Sequence, residues 1–154
     1  MDQEFFLQTI EDSEHQLEQI LTCNQYTKKF GLELSKEDAM ILLADRKDSL
    51  IRQQRIEFGE GILPALIFAF CDSPYLYQDN YVETIGRLQD IFYLLKNETL
   101  DTVSDEDLIR YMKHQFDGVC AGSLDHLEET VAEQCIRSIR KKIRYTGGDA
   151  YDSQ

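Results

Sequence analysis

The chain has 154 residues, 42% hydrophobic and 29% charged, with only eight glycines and two prolines. That suits one helical domain with a core of its own better than a turn-rich β-sandwich. Its 29 acids against 16 bases give a net charge of −13, which argues against a nucleic-acid-binding face and against attraction to anionic membranes.

The opening MDQEFFLQTIEDSE is acidic and has no long apolar core, unlike a secretory signal. The longest apolar run, Ile62 to Cys71, falls short of a membrane span. We therefore expect a cytoplasmic protein whose cysteines (Cys23, Cys71, Cys120 and Cys135) are reduced and buried.

Helix starts are marked where a hydroxyl precedes an acid or amide by three residues: Ser13 with Gln16, Ser35 with Asp38, and Ser104 with Asp107. The first helix is expected from about Ser13 to Lys29, with Leu17, Ile20, Leu21 and Asn24 facing inward and Gly31 as its left-handed stop. A second runs from Ser35 into RQQR, offering Ala39, Met40, Leu42, Leu43, Leu50 and Ile51. Between them Asp45-Arg46-Lys47-Asp48 reads as a solvated stretch. Ile62–Cys71 is apolar on every side, so as a helix it must be covered on every side, with Pro64 in its first turn. A run this short also fits a buried strand.

From Asp79 to Lys96, Tyr81, Ile85, Leu88, Phe92 and Leu95 repeat at 4-3-4-3 spacing, the seam of a packed helix. The next helix, Asp105 to Phe116, presents Leu108, Ile109, Met112 and Phe116, and Gly118 follows its end. A last helix from Ser123 to about Tyr145 carries Leu124, Leu127, Val131, Cys135, Ile139 and Ile143 on one stripe. Its RSIRKKIR, residues 137–144, holds five bases and no acid, either a dipole-complementing helix end or a handle for an acidic partner. The expected fold is all-α, a single-domain bundle of about six helices around a short, fully apolar central helix. Residues 1–146 form the domain, and 147–154 a flexible polar tail.

The chain lacks a convergent catalytic set. His114, Cys120, His126 and Cys135 have the spacing H-x5-C-x5-H-x8-C, which matches no usual zinc pattern, so no metal is expected. The acids of residues 101–107 lack the alternation of a calcium loop and suit a helix N-terminus. Ser123, Asp125 and His126 are too close in sequence to form a triad on a helix. Gly59-Glu60-Gly61 lacks the lysine and third glycine of a phosphate cradle, and no cofactor is expected.

The segment from Ile56 to Tyr81 concentrates aromatics: Tyr75, Tyr77 and Tyr81 with Phe58, Phe68 and Phe70. This zone is either a core edge with wet hydroxyls or the border of a groove. The strings RIEFGEGILP, FCDSPY and FDGVCAG, with CNQYTKKFGLELS before them, resemble a family of small uncharacterised bacterial proteins over roughly Leu17 to Arg140. The resemblance implies a free-standing cytosolic bacterial protein and brings no activity, ligand or catalytic residue.

The leading expectation is a non-enzymatic helical protein that works by protein–protein interaction, with a partner or as a homo-oligomer, and binds neither nucleic acid nor membrane. The alternative is a small-molecule binder or enzyme with its pocket near residues 55–81. Candidate ligand or partner contacts are Arg55, Glu57, Asp72, Ser73, Tyr75, Tyr77 and Tyr81. A third reading, mimicry of nucleic acid by the acidic surface, needs the charges in rows.

Overall fold

A computed structural model describes residues 3–59, 61–130 and 133, and the side chains from Ser13 onward within them. The described residues form six α-helices and no strand: α1 (Gln3–Thr22), α2 (Asn24–Thr27), α3 (Lys36–Arg52), α4 (Leu63–Phe70), α5 (Tyr81–Glu98) and α6 (Asp105–Asp117). Residues 124–130 are also helical. The all-α expectation holds. Two compact units divide the chain, Met1–Tyr93 and Leu94–Gln154.

In the first unit α1 packs on α3 and α4. It begins ten residues earlier than Ser13, which is exposed within it rather than capping it. Phe6, Ile10, Leu17 and Leu21 keep the helical period across Ser13, and a hydroxyl caps only where the chain arrives extended. Ser35 meets that condition. Its Oγ accepts from the Asp38 N–H at 3.0 Å and its own N–H donates to Asp38 Oδ2 at 3.1 Å, a complete reciprocal box.

The buried stripe of α3 is Ala39, Leu42, Arg46 and Ser49. Met40, Ile41 and Ile51 are exposed instead. The solvated reading of residues 45–48 is therefore wrong at Arg46, which shares a helix face with Ala39 and Leu42. α4 has Pro64 in its first turn as expected and buries Leu63, Leu66, Ile67 and Phe70. Its opposite face is open, with Phe68 47% exposed, so the expectation of cover on every side fails. A helix of eight residues has too few neighbours to be enclosed, and Phe68 packs edge-on against Tyr26 at 5.5 Å between ring centroids. The α5 seam holds throughout: Tyr81, Ile85, Leu88, Phe92 and Leu95 are all buried.

After a single 3-10 turn at Lys28–Phe30 the chain runs extended from Leu32 into α3, with Leu32 and Leu34 buried and Glu33 exposed. Buried backbone without a ladder needs other partners, and side chains supply them. Leu32 donates to the Thr27 carbonyl and accepts from Thr27 Oγ1. The Gln78 amide pairs with both the N–H and C=O of Glu33, each at 2.8 Å. The Asn24 amide pairs with the N–H and C=O of Leu34 at 2.8 and 2.9 Å. Gly31 enters this segment at φ +78°, as its left-handed stop requires.

In the second unit Ser104 caps α6 by accepting from the Asp107 N–H at 3.1 Å. Leu108, Ile109, Met112 and Phe116 form its buried face, and Gly118 is its C-cap. Lys96 is drawn into the acidic turn before α6. Its Nζ donates to the Val103 carbonyl at 2.8 Å and lies 2.9 Å from Asp105 Oδ1 and 4.0 Å from Asp101 Oδ1. Ser123 accepts from the His126 N–H at 3.2 Å, the role of a cap at the next helix start. The stripe from Val131, the basic RSIRKKIR and the polar tail lie outside the described residues.

The amide clamp gives the first test. Asn24→Ala leaves two partly buried backbone groups of Leu34 unpaired and should cost about 2 kcal/mol of stability by urea denaturation. Gln78→Ala, at an exposed site, should cost about half as much.

Candidate functional site

The chain leaves α3 through a Schellman turn. The Arg55 N–H donates to Leu50 O at 2.9 Å and the Gln54 N–H to Ile51 O at 3.2 Å, with Gln54 left-handed at φ +56°. The following loop carries two further left-handed residues, Gly59 and Gly61, both at φ +62°. Such a loop needs something to hold it, and Glu57 does.

Arg46 of α3 donates Nε–H to Glu57 Oε1 at 2.7 Å and Nη2–H to the Glu57 carbonyl at 3.3 Å. The Tyr93 hydroxyl of α5 donates to the same Oε1. The other oxygen, Oε2, accepts the N–H of Ile62, the residue that opens α4, at 3.1 Å. One carboxylate therefore meets groups from α3, α4 and α5. Arg46 and Glu57 side chains are 7% and 19% exposed, so their attraction is only weakly screened. Burial raises the Tyr93 hydroxyl above the ordinary tyrosine range, and the Glu57 carboxylate adds to this, so it stays a proton donor. A Cβ at Gly61 would lie 1.9 Å from Glu57 Oε1, so only glycine leaves the carboxylate its place.

With Glu57 turned in, its neighbours turn out. Ile56 and Phe58 are 84% and 86% exposed, the most exposed large apolar side chains among the described residues. A large exposed apolar residue is common singly. Two of them flanking a fixed, inward carboxylate form a small rigid apolar display.

A second cluster joins α3 to α5. Ser49 Oγ donates to Asp90 Oδ1 at 2.5 Å, and Arg52 Nη2 lies 2.8 Å from the same oxygen. Burial pushes the Asp90 carboxyl up, but the Ser49 and Arg52 hydrogen bonds outweigh it and hold the group below its ordinary 3.8. Asp45 shows the reverse. Burial and then the Asp48 charge raise it, with Arg52 opposing. Its Oδ2 lies 2.8 Å from where a Gly86 Cβ would stand, so the glycine lets α5 come close beneath it.

The seven sequence-predicted residues do not share one environment. Arg55 is half-buried on the Glu57 loop and Glu57 sits in the cluster above. Asp72 is exposed. Ser73 is buried and its Oγ accepts the Tyr75 N–H at 3.2 Å, a plain turn. Tyr75 is half-buried and Tyr77 exposed. Tyr81 is fully buried in the core; its hydroxyl lies beside Thr27 yet makes no hydrogen bond among the described residues. Burial raises that hydroxyl above the tyrosine range, with Thr27 pulling the other way. The aromatic zone is thus split between core, turn and surface. His114 and His126 are exposed and Cys120 is buried, while Cys135 lies outside the described residues.

A family model described as a family of unknown function (DUF6323) matches residues 19–145. The chain belongs to this family. No curated protein and no solved structure matches the chain. The matched span takes in both clusters, the amide clamp and the exposed pair Ile56 and Phe58, so the family's defining region contains the whole candidate site.

Sequence reasoning missed Arg46, Tyr93 and the Ser49–Asp90 pair. The signal for Arg46 was its i+4 offset from Leu42 and i+7 from Ala39, which puts it on the core face. A groove of about 610 Å³ borders the extended segment, including Leu32, Glu33 and Leu34. The paired backbone there offers no edge for an added strand.

The two aspartates make opposite predictions. Asp90 has a depressed folded value, so its contribution is present above the unfolded value and lost as pH falls through the folded one. Asp90→Asn should cost about 1 kcal/mol at pH 7 and nothing in acid. Asp45 has a raised folded value, so its penalty exists at neutral pH and disappears below the unfolded value. Asp45→Asn should stabilise by roughly 0.5 kcal/mol at pH 7, a gain lost below about pH 4. Urea titrations across roughly pH 2.5–7 measure both.

Proposed function

We propose that this chain is a non-enzymatic protein-binding module, and that the loop at residues 55–59 is its contact surface. The observation that carries the reading is the exposure of Ile56 and Phe58 on either side of a Glu57 locked by three helices. Binding costs about 0.5–1.5 kcal/mol for each side chain or loop position that must be ordered. A loop already fixed by its own carboxylate spares much of that cost. An aromatic and a branched aliphatic anchor are the residue types that fill a partner's apolar pocket.

The partner takes its rim from the charge. A chain at −13 attracts and orients a basic surface and repels an acidic one. A basic-rimmed protein therefore fits better than a second copy. The reading also locates the chain in the cytosol, where the buried free thiols of Cys23, Cys71 and Cys120 stay reduced. No helix among the described residues is long and apolar enough to cross a membrane.

Photo-crosslinking in the native host tests this, with the probe placed at position 58 and, as a control, at the exposed Met40 on α3. A single adduct should form from position 58 and not from position 40. Ile56→Ser should remove it while leaving urea stability within about 0.5 kcal/mol, as expected of a surface site. An adduct of twice the chain's mass would identify a second copy instead. Equal crosslinking from both positions, or none from position 58, would rule the loop out as the contact.

A further inference from the structure

Away from the Glu57 loop, the first unit carries a cluster of exposed rings. Tyr26 of α2 and Phe30 of the turn after it stand at i and i+4, on one side of the chain. Their ring centroids are 5.8 Å apart and their planes tilted by 57°. Phe68 of α4 meets Tyr26 at 5.5 Å and 76°. The three rings are between 39% and 47% exposed, so each keeps open area. A single exposed aromatic is ordinary, but three joined through Tyr26 make a patch.

The chain itself shows what these rings accept. Lys29 places Nζ 4.1 Å from the Tyr26 centroid and 5.4 Å from that of Phe30. It makes no hydrogen bond and no ion pair with any described residue. Its ammonium therefore rests on the electron-rich ring faces. At an exposed site such a contact is worth only about 0.5–1 kcal/mol, too little to hold Lys29 against a better-matched cation. A primary ammonium is strongly hydrated through three N–H donors. A quaternary methylammonium has none, and its methyl shell adds apolar contact with the rings. The far end of the patch suits a positive charge too. The backbone stays helical through Cys71, at φ −64° and ψ −20°, so the exposed Asp72 stands one turn beyond Phe68 on the same side of α4.

We propose that this patch binds a quaternary methylammonium group, which displaces Lys29 from Tyr26 and Phe30. A free compound and a trimethylated lysine side chain present the same group. The site is separate from the loop at residues 55–59 and does not depend on that loop's partner.

NMR titration of the full chain with tetramethylammonium chloride at constant ionic strength tests it, with tert-butanol, similar in shape and uncharged, as control. The Lys29 ε-protons should start upfield, in the Tyr26 ring current, and return towards the free-lysine position as the ring signals of Tyr26 and Phe30 shift. The response should saturate with a midpoint on the order of 10 mM, the strength of a few exposed cation–π contacts. The alcohol should produce neither change. Lys29→Gln removes the internal competitor and should tighten binding about threefold. Tyr26→Leu, at an exposed position, should weaken it about fivefold or more. Tighter binding of choline than of a trimethyllysine amide assigns the group to a free compound, and the reverse order to a partner's side chain. No saturable shift, an equal response to tert-butanol, unchanged or weaker binding in Lys29→Gln, or unchanged binding in Tyr26→Leu would overturn the proposal. None of these bears on the crosslinking result at position 58.

Discussion

The first unit depends on one partly buried carboxylate. Glu57 sits in an irregular loop, yet it receives a guanidinium from α3, a phenol from α5 and the backbone N–H that opens α4. A partly buried ion pair is not in itself a source of stability, because desolvation offsets much of the attraction. Its force is conditional. Removing one partner leaves the other charged and enclosed, at about 3–5 kcal/mol. The loop is then obliged to keep the conformation that brings Glu57 inward. Gln54, Gly59 and Gly61 in the left-handed region, and the missing side chain at Gly61, are the consequences. The outward turn of Ile56 and Phe58 follows from the same constraint, which links folding to the proposed contact surface.

The same device recurs in two other irregular stretches among the described residues. The extended segment after Gly31 has no neighbouring strand, and Thr27, Asn24 and Gln78 stand in for one. In the second unit the acidic turn before α6 is neutralised by Lys96, which also binds the Val103 carbonyl. A chain with few glycines and prolines turns by spending polar side chains on backbone groups. The chemistry of these residues is structural.

This explains what was legible. The α5 seam, the Ser35 box, the Ser104 cap, Pro64 at the start of α4 and the Gly31 stop are all local signals, each complete within a few residues. Ser13 misled because a cap depends on the conformation of the chain that precedes it, and the helical period already ran through it. Arg46 misled because its charge suggested solvent, while its partners lie 11 residues away at Glu57 and far along the chain at Tyr93. The aromatic cluster near Tyr75–Tyr81 was a cluster only in sequence. Its members divide between the core, where Tyr81 and Phe70 lie, and the surface, where Phe58, Phe68 and Tyr77 lie. Of the predicted site residues, Glu57 is the one whose geometry proved informative, and it was chosen without its partners.

The account stands or falls on whether Glu57 holds the loop. Native-state hydrogen exchange at the Ile62 amide, referenced to Leu88 in the α5 core, measures this directly. In the unaltered chain Ile62 should be protected, because its N–H is bound by Glu57 Oε2. In Glu57→Ala that protection should collapse relative to Leu88, with the amides of residues 55–61 exchanging faster alongside it. An Ile62 amide that exchanges freely in the unaltered chain, or one whose protection relative to Leu88 survives the substitution, would contradict the account.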